Sequence, residues 1–383
     1  MRRVKCSAEL KDTTIPIFFT FAAPNLYTTG NGFRGQAERL KCSGRIFPDW
    51  PASFYGPDTT WKSECLVPMN SLERFDKDLI VWIPEHENYS RSAMRIYGAL
   101  GELRLGEKLQ NDAEVLVTRL GIRVDEVLMG RMPSLRLVAT ATTGLTHIDL
   151  EACKRRGVDI LALDPRDTTI GSVSSTAELT IALILALSRR MIPAHRDVTV
   201  DGGWNRMKFR GRQLNGLTVG VIGVGRIGRM VARAFKSLGS GVLVHDPQPE
   251  LDDEFLPLHR DLRSLLAESD VVTLHVPGSH DGHVLGPDEL RHMMKGALLV
   301  NTARPHLVDN SAMANLVRTG HLGGFAIDGL PGEHEPDFNP STSELVELCR
   351  LGYNGVILPH TGGCTVEAMT TTEDYLARKV ADW

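Results

Sequence analysis

The sequence predicts an α/β protein of two domains, the second built on a parallel, doubly wound sheet. Three observations carry that expectation. The chain of 383 residues is roughly two to three times the length of a typical domain. Short β-branched runs alternate with helix-like stretches over most of it, the pattern of strands joined by crossover helices. One such run leads directly into a glycine-spaced hexapeptide that opens a helix.

Residues 1–76 are aromatic-rich and broken by Gly30-Asn31-Gly32, Pro48, Pro51 and Pro57, with no persistent period, and form an N-terminal extension to which no role is assigned. Arg2-Arg3 ahead of the apolar stretch Ile15–Ala23 imitates a signal peptide, but Glu9 and Asp12 interrupt it, so the stretch reads as a buried strand. Regular patterning begins with the apolar run Leu79–Ile83, a helix-like stretch Arg91–Leu100 and a second run Ala113–Thr118. Ser175-Thr176-Ala177-Glu178 has the spacing of a capping box, in which serine and glutamate satisfy free N–H groups reciprocally, and starts a long apolar helix suited to connect domains. Beyond Gly216 the runs Val219–Ile222, Val242–Val244, Val271–Val276, Ala297–Val300, Gly324–Ile327 and Val356–Leu358 alternate with helical segments, as a doubly wound sheet requires.

Composition excludes several classes. With 42% hydrophobic and 23% charged residues the chain is ordinary for a globular protein. A net charge of −4 and no Lys/Arg run longer than Lys154-Arg155-Arg156 argue against a nucleic-acid partner. The apolar stretch Leu179–Leu187 falls short of the ~20 residues of a membrane span, so no membrane partner is expected. Six scattered cysteines without a C-x-x-C pair suit free thiols in a reducing, cytoplasmic setting and offer no metal-ligand spacing.

Gly223-Val224-Gly225-Arg226-Ile227-Gly228 fits G-x-G-x-x-G and lies between the strand Val219–Ile222 and a helix whose apolar positions Ile227, Val231, Phe235 and Leu238 recur every three to four residues. The first glycine permits the tight turn, the second lets a pyrophosphate approach the backbone, and the third lets helix pack on strand. Asp246 ends the next strand, 23 residues after Gly223, where a carboxylate accepts bonds from the adenosine ribose and repels a 2′-phosphate. A Rossmann-type site for NAD rather than NADP follows. Arg226 reads equally as a phosphate contact or as an exposed arginine.

Reducing a 2-oxo acid beside a nicotinamide takes a cation for the carboxylate and carbonyl, a general acid for the developing alkoxide, and a group that tunes that acid. Arg304 follows Leu298-Leu299-Val300-Asn301-Thr302-Ala303, Glu333 follows Phe325-Ala326-Ile327-Asp328, and His360 follows Val356-Ile357-Leu358-Pro359, each at or just beyond a strand end. Ligands of open α/β sheets bind at those ends.

From about Leu79 onward the chain resembles the D-isomer-specific 2-hydroxyacid dehydrogenase family. Leu145-Thr146-His147-Ile148-Asp149-Leu150 after Gly144 is similar to the family's substrate-loop segment, and Gly216-Leu217-Thr218-Val219-Gly220-Val221-Ile222-Gly223 to the start of its nucleotide domain. Asn301-Thr302-Ala303-Arg304 resembles the segment with the catalytic arginine, and Pro359-His360-Thr361-Gly362-Gly363 the one with the catalytic histidine. The resemblance implies that Arg304 grips the carboxylate and polarises the keto group, His360 donates the proton, and Glu333 orients the imidazole and favours its protonated form. It implies a place for Asp328 by the nicotinamide amide and adds His275, Pro277, Thr302, Ala303, Gly362 and Gly363 to the cofactor-binding set. Backbone N–H groups around Thr142, Thr143 and Gly144, with Arg119, would meet the substrate carboxylate. His275, His280, His283, His306 and His334 otherwise read as loop residues, with His306 close enough to Arg304 to face an anion.

The resemblance further implies a nucleotide domain over residues 175–353 inserted into a flavodoxin-like substrate domain made of 77–174 and 354–383, with a hinge, and a homodimer. Departures from the family are Pro305 after the arginine, Gly329 after Asp328, and Glu335-Pro336 two residues beyond Glu333, which keeps Glu335 as the fallback carboxylate. They point to an unusual substrate, and glyoxylate, hydroxypyruvate, phosphorylated or phosphonate-bearing oxo acids and longer 2-oxo acids all stay open. Rival readings are an NAD-sensing corepressor-type regulator and a phosphite- or formate-type dehydrogenase. Formate sites usually carry glutamine at the position of Glu333.

Overall fold

The computed structural model describes residues 5–10, 13–18, 78–247, 253–278, 282–335 and 337–383. Two units are distinguished, Met1–Pro68 and Met69–Trp383. In the first, strand β1 (Lys5–Leu10) pairs antiparallel with β2 (Thr13–Phe18). The strand expected at Ile15–Ala23 is thus met only as far as Phe18, and the rest of the extension lies outside the described residues.

The second unit holds two parallel sheets. Strands β3 (Leu79–Ile83), β4 (Gly101–Leu105), β5 (Val115–Thr118), β6 (Leu137–Thr140) and β7 (Asp159–Leu161) lie in the order β4-β3-β5-β6-β7. Counted along the chain this is 2-1-3-4-5, the flavodoxin-like order. Strands β5 and β6 are buried at every position, which is why they read as unbroken apolar runs. The edge strand β4 carries Glu102 and Arg104 and gave no such signal. Ala93 and Tyr97 of the helix Arg91–Ala99 share one core with Leu376, Ala377 and Val380 of the C-terminal helix Val366–Asp382.

Strands β8 (Thr218–Ile222), β9 (Gly241–His245), β10 (Val271–Leu274), β11 (Leu298–Asn301), β12 (Gly324–Asp328) and β13 (Gly355–Leu358) form the larger sheet in the order β13-β12-β11-β10-β8-β9. A parallel bridge from Val244 to His259 adds a rudimentary seventh position outside β9. With it the order along the chain becomes 3-2-1-4-5-6 with one further strand, and the switch point falls between β8 and β10. Leu183, Ile184, Val231 and Phe235 pack on one face, and Leu290, Met313, Val317 and Leu348 on the other.

Three expectations are corrected here. Strand β13 pairs with β12, Asp328 opposite Leu358, so of residues 354–383 only the helix Val366–Asp382 returns to the five-stranded sheet. An apolar run carries no mark of its partner, because parallel pairing is decided by distant residues. The capping box at Ser175 does not form: the Ser174 hydroxyl donates to Glu178 at 2.5 Å, and the Ser175 hydroxyl is buried without a partner. Finally, the 21-residue stretch Thr168–Ser188 is long and apolar enough to cross a membrane by length and composition. Ala177, Leu183, Ile184 and Leu187 within it are nevertheless core residues of the larger sheet.

Candidate active site

The loop after β8 shows a different constraint at each glycine. Gly223 adopts φ 90°, and a Cβ there would come 2.6 Å from the His275 carbonyl oxygen. A Cβ at Gly228 would overlap the carbonyl oxygen of Gly223. At Gly225 a Cβ would meet nothing within 4 Å, so this glycine faces open space at the N-terminus of the helix Arg226–Ser237. Four backbone N–H groups of a helix start, uncapped by a side chain, suit a pyrophosphate there. Asp246, at the end of β9, accepts the Val224 N–H at 2.7 Å through Oδ2 and so joins the second strand to this loop. Arg226 is half-buried, and its Nη1 donates to the Val173 carbonyl just before the connecting helix. Ile227 packs into the core below.

Other residues of the expected cofactor set surround the same strand ends. His275 follows β10, its Nε2 3.1 Å from the Thr273 hydroxyl, and desolvation drives its imidazole down to about 3. Pro277 is exposed beyond it, and His280 lies outside the described residues. The Thr302 hydroxyl is 2.8 Å from that of buried Thr180, and the Ala303 N–H donates to Asn301 Oδ1 at 3.0 Å.

Register brings the acid–base candidates together. Because β12 and β13 end side by side, the loops after Asp328 and Leu358 are neighbours. Asp328 accepts the Thr361 and Gly362 N–H groups, one per carboxylate oxygen, each at 2.6 Å. His360, in the same turn, takes a left-handed φ of 55°, unusual for a residue with a Cβ. Its Nδ1 lies 2.6 Å from Glu333 Oε1. Burial alone would push the Glu333 carboxyl up, but the bond to His360 and the nearby His360 and His334 rings outweigh it and hold the group below its ordinary value. Burial does push the Asp328 carboxyl up, its two N–H bonds only partly offsetting the effect. Gly329 has φ 108°, and a Cβ there would press within 2.8 Å of Glu333 Oε2, so valine at this position would displace the carboxylate. Glu335 points elsewhere and pairs with Arg123 of the first sheet's loops at 2.7 Å. Pro336 lies outside the described residues.

Arg304 reaches across from the larger sheet to the smaller. Asn301 clasps its loop, accepting from Ala303 and donating to the Arg304 carbonyl at 2.7 Å, and the Asn310 amide donates to the Pro305 carbonyl at 3.0 Å. Arg304 has extended φ and ψ of −141° and 140°, the region that a following proline favours, so Pro305 fits without distortion. The guanidinium donates through Nη1 to the Ala303 carbonyl, and Nη2 lies where a Cβ at Gly144 would fall. Its Nε is buried without a partner, and burial lowers the guanidinium's pKa while Glu333 and Asp328 oppose the shift.

On the first sheet's side, the Thr142 hydroxyl donates to the Gly144 carbonyl at 2.8 Å, and exposed Thr143 lies between them. Among the described residues the N–H groups of Thr142, Thr143 and Gly144 have no hydrogen-bond partner. Arg119 does not join them: it pairs with buried Glu373, donates to the Glu87 carbonyl at 3.1 Å and stacks 4.8 Å over Tyr89. Two residues had no role assigned to them from the sequence. His147, inside the quoted substrate-loop motif, is buried with Nε2 3.2 Å from the Thr140 hydroxyl and Nδ1 unpaired, and desolvation drives it down to about 4. His334 stands beside Glu333, 3.6 Å from Oε1; adjacency in the sequence was the available signal. His306 is exposed. A cleft of about 1400 Å³ opens beside the dyad, lined by Leu120, Ile122, Leu330, Glu333, His334 and His360 among others.

A glycine turn at the switch point, an acidic residue closing the next strand and a second α/β sheet facing the strand ends define an NAD-binding oxidoreductase architecture. Residues 181–362 match the D-isomer specific 2-hydroxyacid dehydrogenase, NAD binding domain. The glyoxylate reductase of Thermococcus litoralis is 32% identical over 278 residues, 70% of this chain and 80% of its own. The D-3-phosphoglycerate dehydrogenase of Methanocaldococcus jannaschii is 31% identical over 79% of this chain and 56% of its own. The structure of D-lactate dehydrogenase from Aquifex aeolicus, complexed with NAD and lactic acid, superposes with a TM-score of 0.68 at 27% identity, covering 79% of this chain and 94% of that one. The chain therefore belongs to the D-isomer specific 2-hydroxyacid dehydrogenase family. It is an NAD-dependent oxidoreductase acting on CH–OH groups.

Proposed function

We propose that the protein interconverts a small 2-oxo acid and its D-2-hydroxy acid, with Arg304 binding the carboxylate, His360 moving the proton and Glu333 tuning His360. The observation that carries this reading is the 2.6 Å contact between His360 and Glu333, within electrostatic reach of a half-buried Arg304 whose buried Nε has no partner. Gly223, Gly225 and Gly228, with Arg226, Ile227, Asp246, His275, Pro277, Thr302, Ala303, Asp328, Gly362 and Gly363, would hold NADH, which would supply the hydride.

The chain's own groups do the rest. Arg304 Nε and Nη2, with the free N–H groups of Thr142, Thr143 and Gly144, orient the carboxylate and polarise the keto oxygen. His360 gives its Nε2 proton to that oxygen as negative charge develops, while the ionised Glu333 accepts the Nδ1–H bond and steadies the imidazolium. Asp328, by fixing the Thr361 and Gly362 N–H groups, holds the imidazole to its place. Closure of the two domains, which we place at 77–174 plus the helix Val366–Asp382 and at 175–358, would exclude water from the step.

Glyoxylate is the first substrate to test, since relatives of that name match most of this chain's length. The cleft of about 1400 Å³ beside the dyad leaves room for bulkier acids, including phosphorylated ones. Exposed Met191, Ile192, Val198, Val200, Trp204 and Met207 form an apolar surface suited to a homodimer interface. Among the described residues the thiols of Cys153, Cys349 and Cys364 are free, which suits a cytoplasmic setting.

Oxidation of NADH at increasing concentrations of a panel of 2-oxo acids, with NADPH as comparator, tests the reading. Turnover with at least one acid, reduced about 10²-fold or more in both Arg304→Ala and His360→Ala, is the expected outcome. NADH binding without turnover on any acid would overturn it in favour of a regulator.

A further inference from the structure

His334 is assigned no step in the reaction derived above, yet it stands in the cleft with two groups that are. Its Nε2 lies 3.6 Å from Glu333 Oε1, the same oxygen that His360 Nδ1 approaches to 2.6 Å, and its ring centroid is 6.3 Å from that of His360. One ligand atom from each of the three residues lies within 4.8 Å of the other two. We propose that Glu333, His334 and His360 bind a divalent transition metal ion of the zinc type, and that its binding switches the enzyme off.

Two imidazole nitrogens and one carboxylate oxygen, with a water in the fourth position, are a donor set that zinc accepts in open sites. Metal–ligand distances of about 2.0–2.2 Å ask for ligand atoms roughly 3.3 Å apart in a tetrahedron. Glu333 and His360 would part by less than about 1 Å, and His334 would swing inward by a little more. The His334 side chain is 25% exposed and follows Glu333 directly, so its ring has room to turn. The adjoining cleft of about 1400 Å³ gives an ion a way in and space for the water ligand. No Lys or Arg is ion-paired to Glu333 among the described residues; its partners are the two histidines.

Inhibition follows from the proton balance, and this part of the inference rests on the proposed reaction. The ion takes the Nδ1 lone pair of His360, one proton leaves Nδ1 for solvent, and no group is oxidised or reduced. With Nδ1 held by metal, His360 can no longer pass through the imidazolium state that donates from Nε2.

Cobalt reads the site without any turnover. The full chain, freed of metal with EDTA, is titrated with Co²⁺ and then with Zn²⁺, beside a His334→Gln variant whose thermal transition shows that it is folded. The expected result is visible d–d absorption that saturates at about one ion per chain, is displaced by Zn²⁺ and is absent from the variant. Zn²⁺ should also slow wild-type turnover, reversibly with EDTA, and the concentration needed should rise at least about tenfold in the variant. Equal cobalt absorption in both proteins, or none in the wild type, would overturn the site. Cobalt binding with no effect of Zn²⁺ on an active enzyme would overturn the inhibitory role, and failure of the reaction itself would show separately as an inactive protein that still binds cobalt.

Discussion

The two sides of the cleft are held by different means. On the larger sheet's side, Arg304, Glu333, Asp328 and His360 are side chains at strand ends, fixed by register and by bonds to buried groups. On the smaller sheet's side, Thr142, Thr143 and Gly144 offer backbone N–H groups, held by a relay of hydroxyls from His147 through Thr140 and Thr142 to the Gly144 carbonyl. Side chains that move protons or carry charge must be placed against one reacting atom, whereas backbone donors recognise a carboxylate that every substrate of the class shares. Changes on the first side should therefore fall on kcat, and changes on the second on KM.

The largest effect is expected at the dyad. His360→Ala should lower kcat about 10²–10⁴-fold with little change in KM, and Glu333→Gln should lower it less while shifting the pH profile of kcat/KM; steady-state kinetics across pH checks both. A comparable rise in KM in either variant would erase the contrast between the two sides.

His147 gives the next largest, in stability rather than rate. Its folded-state pKa of about 4 lies below the ordinary 6.5, so the unfolded chain binds its proton first. Stability is undiminished above pH 6.5 and is lost as pH falls toward 4. At pH 5 this amounts to about 2 kcal/mol. Urea unfolding at pH 7 and pH 5 should show a smaller loss in His147→Gln than in the wild type; equal losses would mean that the ring is not held neutral by burial.

Thr142→Val removes the hydroxyl that pins the Gly144 carbonyl, a bond of about 0.5–1.5 kcal/mol, so KM for the acid should rise roughly 2–10-fold at unchanged kcat. A loss confined to kcat would place this loop with the proton-transfer groups instead. The smallest effect belongs to Arg123→Ala at the rim of the cleft. Its pair with Glu335 is exposed on both sides, and thermal unfolding should change by less than about 1 kcal/mol.

What could be read early follows from the same contrast. The six runs of the larger sheet, the glycine turn and the positions of Arg304, Glu333 and His360 after strands were legible, because each is a local pattern of residue types. The edge strand β4, with alternating charge, was not, and neither was the pairing of β13. Arg119 sits at the end of a strand like Arg304 does, but a glutamate 254 residues away claims it. Arg226 belongs to the glycine motif, but the Val173 carbonyl claims it.

By itself, then, the sequence determined most of the strand segments, where the dinucleotide turn lies and which three residues are candidates for acid, tuner and cation, since turn geometry, strand burial and side-chain chemistry are properties of neighbouring residues. Only the tertiary structure decided that Glu333 and not Glu335 meets His360, that Arg119 is spent on Glu373, and that His334 and His147 stand in or under the cleft. Each of those outcomes depends on the register of parallel strands and the facing of two sheets. Such contacts join residues far apart in the chain, and short-range patterns do not encode them.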